Sequence, residues 1–163
     1  MEIYTLDGKF RKEVQLPGLG TSGGISAERE DSEMFFSFTS YLYPGSVFQY
    51  DFKTDVTELY IQPDIDFNPE EYVSNQVFYP SKDDTKIPMF IIHRKDLVMD
   101  GNNPTYLYGY GGFNVGLYPH FSVGTLPWLE RGGIYVVANL RGGSEYGEDW
   151  HKAGMLKNKQ NVF

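Results

Sequence analysis

The chain has 163 residues, no cysteine and a formal net charge of −8, which suits a globular protein of one domain or two partial ones. Without cysteine it has no disulfides or zinc–thiolate sites. Its acidic balance and lack of a basic stripe argue against a nucleic-acid partner. No apolar run approaches the roughly 18–20 residues of a membrane span, and the amino end lacks an apolar stretch of signal-peptide length. We therefore predict a cytoplasmic protein that binds neither nucleic acid nor membrane.

Residues 1–62 are predicted to form an antiparallel meander of about four or five strands. Asp7-Gly8 is a tight-turn sequence between two apolar runs and indicates a hairpin. In Phe48–Phe52 aromatic residues alternate with polar ones, the period-two pattern of a strand with one buried face. A meander of this size is typical of one β-propeller blade.

Residues 63–71 are predicted to be a connector, since they are acidic and contain two prolines, which restrict φ and remove hydrogen-bond donors. Residues 72–163 follow a different pattern, with strands separated by turns and glycines. The predicted strands cover Val73–Tyr79, Ile87–His93, Thr105–Tyr108 and Ile134–Asn139. The last is almost wholly apolar and bounded by glycines, which suits the middle of a sheet covered on both faces. The tail is partly helical and ends without a closing element, so we expect this domain to be truncated.

One nucleophile pattern, Gly-x-Ser-x-Gly, occurs at Gly20–Gly24. A nucleophile elbow needs a strand before the serine and a helix after it. Here Pro17-Gly18 precedes the pattern, and no helix of useful length fits before the next aromatic strand. We therefore interpret the segment as a glycine-rich loop and exclude Ser22 as a nucleophile.

The three histidines, His93, His120 and His151, show no metal-ligand spacing. We interpret His93 and His151 as surface or hydrogen-bonded residues, and we predict neither a metal nor a cofactor. Without a plausible nucleophile and base, the chain cannot be assigned a complete catalytic triad.

The segment Tyr106–Asn114 reads Y-L-Y-G-Y-G-G-F-N. In an α/β-hydrolase the loop after the third strand contributes an oxyanion-hole donor, and glycines there let a substrate carbonyl approach the backbone. The donor is usually a backbone N–H, but a tyrosine hydroxyl can do the same work. Alternatively, Tyr110 simply packs its ring over a glycine turn. The spacing of Tyr110 and the glycines leaves both interpretations open.

Three blocks of the chain closely resemble the prolyl oligopeptidase family of serine peptidases: Leu107–Asn114, Val137–Gly154 and Asn158–Phe163. The resemblance implies a mixed fold, in which a β-rich final propeller blade precedes the N-terminal part of an α/β-hydrolase domain. It further implies an enzyme that cleaves short peptides on the carboxyl side of proline, and we expect the full-length enzyme to be a monomer.

Two site residues follow from this resemblance. Tyr110 matches the tyrosine whose hydroxyl helps to form the family's oxyanion hole, and Phe113 matches an aromatic residue of its proline-binding pocket. The related basic-residue-specific oligopeptidases lack Gly-Gly-Phe in this loop, which favours proline specificity. The family's catalytic serine, aspartate and histidine lie beyond Phe163, so we expect the chain alone to be inactive. The alternative is a non-catalytic β-rich binding or interaction module.

Overall fold

The computed structural model describes residues 1–163, which form two compact units. The first comprises Met1–Asp66 together with Pro119–Phe121, and the second comprises Phe67–Tyr118 and Ser122–Phe163. The domain limits expected from the sequence stay a prediction. None of the helices has the length and apolar character of a membrane span.

The first unit is built from antiparallel strands in chain order. A two-stranded hairpin and a four-stranded sheet account for all of them. The predicted hairpin and antiparallel meander are therefore confirmed, although there are six strands in two sheets rather than four or five in one. The hairpin pairs β1 (Glu2–Tyr4) with β2 (Phe10–Glu13), and the sheet contains β3 (Thr21–Ser26), β4 (Glu33–Thr39), β5 (Ser46–Asp51) and β6 (Thr57–Ile61).

One face of this sheet forms the core of the unit. Phe36 on β4 lies opposite Phe48 on β5, and their rings stack with centroids 5.6 Å apart. Alternate residues of β5 are buried, among them Phe48 and Tyr50, as the period-two pattern predicted. Phe52 follows the end of the strand and is partly exposed. The buried cluster consists of Val14, Met34, Phe36, Phe38, Phe48 and Tyr50.

The prediction of a loop at Gly20–Gly24 is wrong. Most of that segment belongs to β3, an edge strand in which Ser22 lies opposite Phe38. Gly20, in the bend just before β3, permits close approach of two segments, because a Cβ atom there would lie 2.3 Å from the Thr39 carbonyl oxygen. Turns rather than a helix connect β3 to β4, so Ser22 has no elbow context.

The second unit contains one mixed sheet. Its strands are β7 (Tyr72–Pro80), β8 (Lys86–Arg94), β9 (Thr105–Gly109) and β10 (Ile134–Ala138). They are arranged in the order β7-β8-β10-β9; β8 pairs antiparallel with β7 and β10, whereas β9 and β10 are parallel. The helical elements are α1 (Leu126–Glu130), α2 (Gly147–Lys152) and 3₁₀ helices at Pro69–Glu71, Val123–Thr125 and Leu156–Val162.

The position of β10 beside β9 determines where the loops of this unit meet. As predicted, it is an inner strand, flanked by β8 and β9 and largely buried. Because β9 and β10 are parallel, with Gly109 opposite Ala138, the loops that follow them leave the same edge of the sheet side by side. In open α/β sheets this carboxyl edge is where ligands bind.

Candidate functional site

Two loops meet at the carboxyl edge of β9 and β10. We call Tyr110–Asn114 the tyrosine loop and Asn139–Gly143 the arginine turn. The backbone N–H of Asn114 donates to the Gly142 carbonyl over 3.0 Å, and Val115 N–H donates to the Gly112 carbonyl, also over 3.0 Å. The first bond ties the loops together and the second closes the end of the tyrosine loop.

The backbone of the tyrosine loop is strained. Phe113 and Asn114 have φ values of 52° and 58°, in the left-handed region that L-residues rarely occupy. Such a conformation costs about 1–3 kcal/mol for a residue such as Phe113 and persists only where the surroundings enforce it, whereas asparagine tolerates it better. The loop therefore depends on contacts from outside itself.

Close packing of side chains and backbone against two glycines supplies part of this constraint. Gly111 has φ 61°, and a Cβ atom there would lie 2.6 Å from Val162 Cγ1 and 2.7 Å from Leu140 Cβ. Gly142 has φ 97°, and its Cβ would lie 2.5 Å from the Gly111 carbonyl oxygen. At both positions, conformation and available space admit only glycine.

Lys159 provides a polar contact that was not predicted from the sequence. Its Nζ donates to the Gly111 carbonyl oxygen over 2.7 Å. The lysine belongs to the 3₁₀ helix Leu156–Val162, whose Val162 side chain also packs beside Gly111. The same helix thus contacts Gly111 through an ammonium group and through an apolar group.

The three histidines lie in separate places. His151, on α2, is half-buried and its Nδ1 lies 2.8 Å from the Gly142 carbonyl oxygen, to which it donates. His93 Nδ1 lies 2.7 Å from the carbonyl oxygen of Arg94. His120 lies in the first unit, with its ring near that of Tyr41. His151 thus contacts the loops of the site, through a carbonyl that also accepts from Asn114.

Arg141 fixes the arginine turn to two distant segments. It is 4% exposed, and its two terminal nitrogens contact the Asp83 carboxylate at 2.6 and 3.2 Å. Its Nη2 also donates to the Asn161 carbonyl over 2.9 Å. The guanidinium holds the pKa of the Asp83 carboxyl down at about 2. One side chain therefore joins the turn between β7 and β8 to the 3₁₀ helix that carries Lys159.

Glu145 holds the chain that follows the tyrosine loop. Its Oε1 accepts from the Leu117 N–H over 2.9 Å and from Asn139 Nδ2 over 3.3 Å. Asn139 Nδ2 also donates to the Leu117 carbonyl over 2.7 Å. These bonds fix the backbone N–H and C=O of Leu117 to Glu145 and to Asn139, the first residue of the arginine turn.

The two predicted site residues lie on the outside of this framework. Tyr110 is 45% exposed and Phe113 is 87% exposed. The Tyr110 ring lies beside Gly112, with Cε1 4.0 Å from the position of a Cβ there, so the ring also covers the glycine turn. A groove of about 420 Å³ adjoins Phe113 and is lined by His151, Met155, Leu156 and Lys159. The oxyanion role of Tyr110 and the pocket role of Phe113 remain predictions.

Both ends of the chain match families of known proteins. Residues 119–163 match the prolyl oligopeptidase family, and residues 1–63 match the N-terminal β-propeller domain of prolyl oligopeptidase. The prolyl endopeptidase of Elizabethkingia miricola is 51% identical over 160 residues, which are 98% of this chain and 23% of that protein. The prolyl endopeptidase of Dictyostelium discoideum is 44% identical over 167 residues, covering 100% of this chain and 22% of that protein.

Solved structures agree with these matches. A structure from a study of two prolyl endopeptidases superposes with a TM-score of 0.91 at 50% identity, over 99% of this chain and 24% of that one. Prolyl oligopeptidase B from Galerina marginata, without ligand, superposes with a TM-score of 0.84 at 34% identity, over 98% of this chain and 23% of that one. The chain thus spans about a quarter of the length of these relatives. The predicted fold class, a β-rich final propeller blade followed by the start of an α/β-hydrolase domain, is confirmed.

We predict that Gly111→Ala destabilises the second unit by about 1–3 kcal/mol more than Gly147→Ala, the usual range for overpacking. Gly147 is the matched control, because its φ is also positive (80°) but a Cβ there would meet nothing within 4 Å. Backbone strain is common to both variants, so the difference isolates the clash with Val162 and Leu140. Urea unfolding followed by tryptophan fluorescence reports on this unit, which holds both tryptophans, Trp128 and Trp150. Equal losses in the two variants would contradict the close packing.

We predict that Asp83 stabilises the fold above about pH 4 and loses this effect as the pH falls toward 2. The folded-state pKa of Asp83 is about 2 and its ordinary value is 3.8, so the unfolded chain takes up the proton first and acid favours unfolding. Asp83→Asn should lower the urea midpoint at pH 6, and the gap to the unmodified chain should narrow between pH 4 and 2. The control is Asp84→Asn, since Asn tolerates the left-handed backbone of Asp84 (φ 62°). A gap that does not change with pH would refute the ion-pair assignment.

Proposed function

Because the chain belongs to the prolyl oligopeptidase family, we propose that it is part of a serine-type endopeptidase that cleaves short peptides after proline. The observation that carries this proposal is the tyrosine loop. It lies at the carboxyl edge of β9 and β10, and its backbone is strained. Lys159 holds it through the Gly111 carbonyl, while the side chains of Tyr110 and Phe113 are exposed. A rigid loop that presents a phenol and an aromatic ring suits recognition of a substrate carbonyl and the residue beside it.

In this proposal Tyr110 acts on the oxyanion. A serine outside this chain attacks the carbonyl carbon, a histidine takes the hydroxyl proton, and negative charge develops on the carbonyl oxygen. The Tyr110 hydroxyl donates a hydrogen bond to that oxygen. The donor is positioned before the reaction begins, because Gly111 is fixed by Lys159 and by packing against Val162, so little reorganisation is needed.

Phe113 recognises the proline ring. Its side chain is 87% exposed at a positive φ of 52°, so the strained backbone directs a flat apolar surface outward. A proline residue offers a compact ring and no N–H, and ligand pockets for such groups are lined mainly by apolar and aromatic side chains. Because an apolar surface suits an apolar ring, Phe113 supports recognition of proline rather than a basic residue on the amino side of the cleaved bond.

Further parts of the proposal concern the whole protein. We place its amino-terminal region, residues 1–62, in the last propeller blade, residues 63–71 in a connector, and residues 72–163 in the catalytic domain. We also propose a cytoplasmic, monomeric enzyme that acts on proline-containing peptides and binds neither nucleic acid nor membrane. The net charge of −8 supports the exclusion of nucleic acid.

A second candidate function is a non-catalytic binding module. It is favoured by the lack of a credible nucleophile in the chain, since Ser22 lies in an edge strand without a following helix. Against it, β9 is an edge strand whose Tyr106, Leu107 and Tyr108 are 41–64% exposed. Exposed apolar edge strands promote association, so a stand-alone module of this sequence should self-associate. A soluble, cooperatively unfolding monomer of 163 residues would favour the module.

We predict that the purified 163-residue chain does not hydrolyse peptides. Loss of the nucleophile removes the covalent route, and a tyrosine donor alone cannot replace it. The measurement is cleavage of a fluorogenic peptide with proline before the scissile bond, with and without a serine-directed inhibitor. Turnover that the inhibitor abolishes would contradict the prediction, because it would require a nucleophile within these residues.

In the complete enzyme, Tyr110→Phe should lower kcat by about 100- to 1000-fold, the usual cost of one oxyanion-hole donor. KM should change little, because the hydrogen bond strengthens in the transition state. Steady-state kinetics on a short proline peptide provide the measurement. Tyr106→Phe is the matched control, since it removes a hydroxyl from the strand that leads into the same loop and keeps the ring stacked on Tyr135. Unchanged kcat in the Tyr110 variant would end the oxyanion assignment.

A further inference from the structure

The peptide between Gly111 and Gly112 is the most easily rotated part of the tyrosine loop. Two adjacent glycines restrict their dihedral angles least, and rotation of this peptide would move Tyr110 on one side relative to Phe113 on the other. A peptide bond is planar and trans, so its C=O and N–H point in opposite directions. Fixing the direction of the Gly111 carbonyl therefore fixes the whole peptide.

Lys159 fixes that carbonyl. Its Nζ donates over 2.7 Å to the Gly111 oxygen and lies 3.5 Å from the position of a Cβ on Gly112. The ammonium contacts a carbonyl and the ring of Phe163, at 5.6 Å, rather than a carboxylate. A hydrogen bond from a charged donor is about twice as strong as a neutral one.

The lysine is itself held in a fixed place. Its 3₁₀ helix is anchored at Asn161, whose carbonyl accepts from Arg141 over 2.9 Å and whose Nδ2 donates to the Ala153 carbonyl over 3.0 Å. Val162, the next residue, is buried and packs beside Gly111. A rigid support of this kind lets the ammonium act as a clamp.

We propose that Lys159 is a positioning residue that locks the Gly111–Gly112 peptide and thereby sets the placement of the Tyr110 hydroxyl relative to Phe113. The inference rests on the proposed function, because it assigns Lys159 to the same site. Lys159 acts through the loop and does not touch the substrate. Displacement of a catalytic group by about 1 Å can cost about 100-fold in rate, so a clamp of this kind affects kcat.

The test compares Lys159→Met, Lys159→Arg and Lys157→Met in the complete enzyme. Lys159→Met keeps a long apolar stem but cannot donate, and we expect kcat on a proline peptide to fall roughly 10- to 100-fold. Lys159→Arg keeps a charged donor and should recover part of the loss. Lys157 is an exposed lysine of the same 3₁₀ helix, so Lys157→Met should behave like the unmodified enzyme.

A double variant separates positioning from a general loss of structure. If Lys159 acts through Tyr110, Tyr110→Phe combined with Lys159→Met should be about as slow as Tyr110→Phe alone. Losses that multiply would show that the two residues act independently and would overturn the inference. A lower rate explained wholly by fewer active sites, counted with a serine-directed inhibitor, would overturn it as well.

Hydrogen exchange distinguishes failure of this inference from failure of the proposed function. In the complete enzyme, Lys159→Met should speed exchange across residues 110–114 by about tenfold or more, whereas Lys157→Met should leave it unchanged. If the unmodified enzyme does not cleave proline peptides, the proposed function fails, and unchanged exchange in Lys159→Met would show that the clamp fails too. If the enzyme cleaves and Tyr110→Phe is slow while Lys159→Met is normal in rate and exchange, the inference alone is wrong.

Discussion

The contact between the backbones of Gly111 and Gly142 is the constraint on which the site depends. A Cβ on Gly142 would lie 2.5 Å from the Gly111 carbonyl oxygen, so the tyrosine loop and the arginine turn share a space that holds no side chain. The cause lies in the sheet. Parallel neighbouring strands are about 4.8 Å apart, and β9 and β10 end level with each other. Their loops can both turn at this edge only if glycine occupies the point of contact.

Two cations extend this contact into a connected framework. Arg141 joins Asp83 to the Asn161 carbonyl, and Lys159 joins the same 3₁₀ helix to the Gly111 carbonyl. Each cation therefore donates to one backbone carbonyl oxygen, Arg141 to that of Asn161 and Lys159 to that of Gly111. Leaving such carbonyls without a donor is costly when they are buried, so the cations satisfy the backbone and position it together.

The sequence predicts the parts of this structure that depend on local patterns. Alternation in Phe48–Phe52 and the turn at Asp7-Gly8 identify strands because side-chain period and turn chemistry act within a few residues. The clamp was not predictable in this way, since Lys159 and Gly111 are 48 residues apart in sequence and no local pattern links them. Gly20–Gly24 was predicted to be a loop because glycines are typical of turns, yet the residues from Thr21 onward pair with β4, and Gly20 allows close approach to the Thr39 carbonyl just before the strand. The five residues of α1 are too few to show helical periodicity.

The strain at Phe113 and Asn114 explains why so much structure surrounds a short loop. Two non-glycine residues at positive φ would relax if the loop were free, which would turn Phe113 away from its present direction. The bonds from Asn114 to Gly142 and from Lys159 to Gly111 hold the loop at both ends. The energy needed to maintain the strained conformation is thus supplied by folding of the second unit. A loop prepared in this way needs no rearrangement when substrate arrives, which is the physical requirement for the oxyanion and proline-binding roles that we propose for Tyr110 and Phe113.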